Sequence, residues 1–89
     1  MINTEVVLAN KLGLHARASA KLVSTALRFQ SQLTLGKNEK RINGKSIMAV
    51  MTLGARQGDT LYLEIDGPDA EAMNTALLKL IENKFGEHE

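Results

Sequence analysis

Cysteine and tryptophan are absent from this 89-residue chain, proline occurs once, and aromatic residues make up only 3%. Without cysteine there are no disulfides, no thiol nucleophiles and no thiolate metal sites. The aromatic residues Phe29, Tyr62 and Phe85 are too few and too scattered to build a stacking platform for nucleic acid. Neither sign of charge dominates: eleven basic residues are interspersed with ten acidic ones, for a formal net charge of +1. No basic block is available to track phosphates, so no nucleic-acid partner is expected. Long apolar runs are missing too. None approaches the roughly 20 residues that cross a bilayer, so no membrane insertion is expected. The opening MINTEVVLANK is too polar for a secretory signal, which points to a cytoplasmic protein.

What is present fits one small globular domain over residues 1–89. The apolar fraction of 44% and the charged fraction of 24% are ordinary for a folded protein. A chain this short buries about 60–65% of its unfolded surface, so its elements must pack efficiently.

INTEVVLA alternates, with Ile2, Thr4, Val6 and Leu8 on one side, and reads as a first strand. Between Ala16 and Phe29, apolar residues at Ala20, Val23, Ala26 and Leu27 recur at helical spacing and define a first helix. Leu33 and Leu35 alternate with polar neighbours; GKNEK is a turn, and RIN a short third strand hairpinned to the second. Ser46 is a good cap for a second helix of about two turns, and Gly54 suits its exit. GDTLYLEIDG places Leu61, Leu63 and Ile65 on the inner side of a fourth strand. Pro68 fits the first turn of a last helix whose stripe is Met73, Ala76, Leu77, Leu80, Ile81 and Lys84. The order β-α-β-β-α-β-α, with one apolar face per strand and one stripe per helix, predicts an α+β fold. It is an open-faced two-layer sandwich, a four-stranded antiparallel sheet covered on one side by three helices.

The stretch GLHARASAKL, residues 13–22, carries the chemistry. With His15 at the cap of the first helix, the unbonded N–H groups and the positive end of the helix dipole favour an anion there, above all a phosphate. Arg17 adds a permanently charged fork suited to phosphate oxygens, and Lys21 strengthens the field a turn further on. The same field works against protonation of the imidazole. A neutral ring with a free lone pair beside an anion site is what a phosphoryl acceptor needs. Sequence neighbours supply no acid to orient His15, and Ser19 is the only nearby nucleophile. His88 lies in a polar tail with no ligand set around it. Neither a metal nor a cofactor is expected. A lone histidine at a helix start is more often a cap or surface residue than a reactive group, so the spacing by itself leaves that reading open.

The second helix raises another question. Ile47, Met48, Ala49, Val50, Met51 and Leu53 point all around two turns, so either the helix is buried on every side or one apolar face stays open. Exposed methionines there could adapt to several partners. Ser46 is a cap in either case; phosphorylated, it would carry a dianion onto that surface.

Together, NKLGLHARASAKLV and NGKSIMAVMTLGA resemble the phosphohistidine and regulatory-serine motifs of the HPr family, the histidine-containing phosphocarriers of the phosphoenolpyruvate-dependent sugar phosphotransferase system. The resemblance covers essentially the whole chain and implies the open-faced sandwich read above. It implies that His15 is the phosphoryl acceptor, modified on Nδ1 by enzyme I, with Arg17 stabilising the phosphate. IIA-type proteins would be the acceptors. Ser46 matches the serine modified by an HPr kinase/phosphorylase, and Ile47, Met48 and Met51 match apolar docking positions, with Lys21 beside them. The chain would be a carrier rather than an autonomous enzyme, and a monomer, since His15 must face successive partners. Ala18 stands where many family members have proline; it preserves the helix and adds an N–H donor. HARAS resembles the form in some proteobacterial proteins of this type. A nitrogen-related carrier and a purely regulatory interaction protein are the alternative readings.

Overall fold

The computed structural model describes residues 1–87. Its elements are β1 (Ile2–Val7), α1 (Ala16–Ala26), β2 (Gln32–Lys37), β3 (Lys40–Asn43), α2 (Ile47–Thr52), β4 (Thr60–Asp66) and α3 (Ala70–Glu82). A 3₁₀ turn at Lys84–Gly86 follows. Every strand pair is antiparallel and the sheet order is β1-β4-β2-β3. This is the expected open sandwich, with one addition at its end.

Register explains why the alternating strands share one core. Ile2 pairs with Ile65 and Ile65 with Leu33; Thr4 pairs with Leu63, Leu63 with Leu35, and Leu35 with Ile42. Since side chains alternate faces with period two, these rows lie on one face, and Leu33, Leu35, Leu61, Leu63 and Ile65 are buried there. Leu22, Val23 and Ala26 of α1, Val50 of α2, and Met73, Leu77 and Ile81 of α3 close over them. Thr4 is the polar member of its row, and its hydroxyl donates to Asn74 Oδ1 of α3 at 2.9 Å.

β1 stops at Val7 rather than Ala9, and β2 and β3 take Gly36, Lys37 and Lys40 from the expected turn. Three helix boundaries also differ from the sequence expectation, each for a physical reason. The first helix ends at Ala26, not Phe29: Arg28 and Phe29 N–H bond to Thr25 and Ala26 carbonyls in tighter i→i−3 geometry. Beyond, Asp69 accepts the N–H groups of Gln30 and Ser31, each at 2.9 Å, and pulls the chain off the helix axis. Pro68 precedes the last helix rather than occupying its first turn, because Asp69 is the N-cap residue. The last helix stops at Glu82, so Lys84 lies outside its stripe. Lys84 and Phe85 take left-handed backbone angles (φ 53° and 56°), and Phe85, 1% exposed, plugs the core. No helix among the described residues is long and apolar enough to cross a membrane.

Candidate phosphoryl-acceptor site

His15 is the N-cap of α1, in extended conformation (φ −74°, ψ −180°), and its carbonyl accepts the first helical bond from Ser19 N–H at 2.8 Å. The loop that delivers it must pass close to the segment after α2. Leu14 N–H bonds Ala55 O at 3.0 Å, and Gly13 sits at φ +63° where any Cβ would stand 2.5 Å from the Ala55 carbonyl oxygen. Only glycine suits that position.

The His15 side chain makes no capping bond, and no acidic residue lies in the first turn of α1. Among the described residues no side chain bonds the amide groups at the helix start, which suits them to an outside anion. Arg17 is exposed on this first turn, and among the described residues it forms no ion pair. Ala18 is wholly buried, so the small side chain there packs into the core while the helix continues. Ser19 is also buried, with its hydroxyl donating to Leu14 O at 3.1 Å, which leaves it unavailable as a nucleophile.

One expectation is corrected. Although no acid neighbours His15 in sequence, the fold brings Glu87 to it, with Oε2 2.5 Å from the imidazole Nε2. The other carboxylate oxygen accepts from Asn10 Nδ2 at 3.1 Å, and Asn10 Nδ2 also donates to Gly13 O at 2.8 Å. Burial raises the Glu87 carboxyl, but hydrogen bonds from His15 and then Asn10, with the Lys21 charge nearby, outweigh it and leave the group below its ordinary range. Lys21 spends its ammonium on the same tail, donating to Phe85 O at 2.7 Å. The signal for Glu87 in the sequence was slight: an acid shortly after Phe85, whose aromatic ring follows the last apolar stripe.

Ser46 caps α2, its hydroxyl accepting from Ala49 N–H at 3.3 Å. The second helix is not buried all round. Val50 faces the core, while Met48 is 77% exposed and Ile47 and Met51 are 42% exposed each. Leu12, in the loop before His15, is also largely exposed. His88 lies outside the described residues, and no group of three His, Asp or Glu residues able to hold a metal occurs among those described.

Residues 2–83 match the family model for the PTS HPr component phosphorylation site. The chain belongs to the HPr family. A phosphocarrier protein HPr from Cupriavidus necator is 51% identical over 89 residues, covering all of both chains. The crystal structure of HPr-C-His from Thermoanaerobacter tengcongensis superposes with a TM-score of 0.96 at 45% identity, again covering both chains fully. An HPr dimer from the same organism is 46% identical with a TM-score of 0.79, covering 98% of this chain and 100% of that one. HPr is the phosphocarrier of the phosphotransferase system, and these relatives do not favour the nitrogen-related alternative.

Proposed function

We propose that this HPr-family chain carries a phosphoryl group on Nδ1 of His15, taking it from phosphorylated enzyme I and passing it to IIA-type proteins. The observation that carries the reading is His15 at a helix start with no side-chain cap and no acid in its first turn, with Arg17 exposed there and in no ion pair among the described residues. Attack by the ring forms an N–P bond as the donor's bond to phosphorus breaks. Helix amides and the Arg17 fork stabilise the charge on the transferring oxygens. The chain binds no small substrate of its own and acts as a co-substrate of its partners rather than as an enzyme.

Partners dock beside His15 on the exposed Ile47, Met48 and Met51, with Leu12 extending the apolar surface and Lys21 adding positive charge. Ser46 is the regulatory position, addressed by an HPr kinase/phosphorylase. The carrier works in the cytoplasm as a monomer, because the face around His15 must serve donor and acceptor in turn.

Incubation with enzyme I and labelled phosphoenolpyruvate is expected to give an acid-labile, base-stable phosphoprotein. His15→Ala should abolish the label. Label that persists in that variant would overturn the assignment.

A further inference from the structure

Glu87 is placed too deliberately for a loose tail. Phe85 is inserted in the core, Lys21 Nζ holds the Phe85 carbonyl, and the backbone of Gly86 and Glu87 closes on Asn83 O and Lys84 O at 2.9 Å each. The carboxylate is then held at both oxygens, by Asn10 Nδ2 and by His15 Nε2. Its side chain is 16% exposed and that of His15 is 26% exposed. One edge of the imidazole thus meets a fixed carboxylate, and the other edge, Nδ1, stays free of it.

We infer that Glu87 is a positioning residue for phosphoryl transfer: it holds the proton of the neutral His15 ring on Nε2 and so presents the lone pair on Nδ1. The inference rests on the carrier reading above. An ionised carboxylate only accepts hydrogen bonds, so the shared proton belongs to Nε2. In neutral imidazole the second nitrogen then carries the free pair. During transfer that pair forms the Nδ1–P bond, the donor's bond to phosphorus breaks with its electrons returning to the donor nitrogen, and that nitrogen takes up a proton. The Nε2 proton does not move. Positive charge developing on the ring strengthens the Nε2–H···carboxylate bond, so Glu87 stabilises the transition state more than the resting ring. Its negative charge lies across the ring from the arriving phosphoryl group.

The test compares wild type, Glu87→Gln and Glu87→Ala with two donors. Phosphorylated enzyme I needs a docking surface; phosphoramidate, a small donor that releases ammonia, does not. Both variants should fold, since Phe85 and the Lys21 tether remain. Acceptance should slow by about tenfold or more with both donors, the order a fixed partner of a reacting imidazole contributes, and Gln should be the milder change. Imidazole ¹⁵N spectra recorded on the alkaline side of the ring's measured titration should show the Nε2–H form in wild type and a mixture of tautomers in Glu87→Ala. Unchanged rates, or an unchanged ¹⁵N pattern, would overturn the inference. So would slowing confined to enzyme I, which would make the tail a docking element. If wild type takes no label from enzyme I, the carrier reading fails instead, and the ¹⁵N comparison still decides the role of Glu87.

Discussion

Nε2 of His15 and Oε2 of Glu87 meet at 2.5 Å across 72 positions of sequence. The contact ties the loop before α1 to the segment after α3, and each side is fixed by its own anchor. Gly13 threads the His15 loop past Ala55, while Phe85 seats the tail in the core. The reactive ring is therefore oriented by packing on two elements rather than by its own neighbours.

Arg17 should matter to transfer and not to stability. Its side chain is exposed and forms no ion pair among the described residues, so Arg17→Ala removes no buried group and breaks no ion pair there. Loss of the fork should slow phosphoryl acceptance by about tenfold to hundredfold, and lysine should recover only part of the rate, because a point charge cannot grip two oxygens. Stopped-flow or quench kinetics beside a thermal melt would check this. A lower melting temperature with an unchanged rate would contradict it.

Ser46→Asp should retain the fold, since aspartate caps a helix as well as serine does. Its added charge sits beside the exposed Ile47 and Met48, so acceptance from enzyme I should slow through a higher KM. The effect should shrink between about 0.05 M and 0.5 M salt as screening rises. Equal rates at low salt would leave Ser46 as a helix cap alone.

Ser31→Ala should destabilise the chain. The buried Ser31 hydroxyl donates to Asp69 Oδ1 and accepts from Asp69 N–H at 3.1 Å. Losing both bonds should lower stability by about 1–3 kcal/mol. The Ser31 hydroxyl, then the N–H groups of Gln30 and Ser31, hold the Asp69 carboxyl below its ordinary 3.8. A carboxyl depressed in the folded state adds stability that is complete above its unfolded value and is lost as pH falls through the folded one. The gap between Ser31→Ala and wild type should therefore narrow from about pH 7 to about pH 2, without closing, since the Asp69 N–H bond survives acid. Denaturant titrations across that range would measure it.

Phe85→Ala tests whether the tail is core. Phe85 is 1% exposed, so truncation should lower stability by about 3–5 kcal/mol through lost burial and a cavity. The same variant should release the Lys21 tether and the Glu87 contact, and the His15 ring signals should move with it. A wild-type melting temperature would mean the ring is not needed where the fold places it.

Local patterns carried most of the fold. Period-two alternation in INTEVVLA and GDTLYLEIDG finds β1 and β4, because each strand has one dry face, although the strands cover only Ile2–Val7 and Thr60–Asp66 of those stretches; the Ser46 cap and Gly54 exit bracket α2 as expected. Periodicity overran two helices. It follows side-chain polarity, whereas α1 is ended by Asp69 capturing Gln30 and Ser31, and α3 by the left-handed turn that inserts Phe85. Those are contacts between distant segments or backbone choices that polarity does not encode.

The site divides the same way. From the order of residues alone came His15 at a helix start, Arg17 on the first turn and Ser46 as a cap, because these depend on neighbours within one turn. Whether Ile47, Met48 and Met51 face water or core was decided only by where α2 rests, since six residues cannot be covered on every side at the edge of a two-layer fold. The acid that meets His15 was likewise decided by tertiary structure. Glu87 reaches the imidazole because Phe85 is drawn into the core, and burial of an aromatic ring depends on the shape of the space left for it.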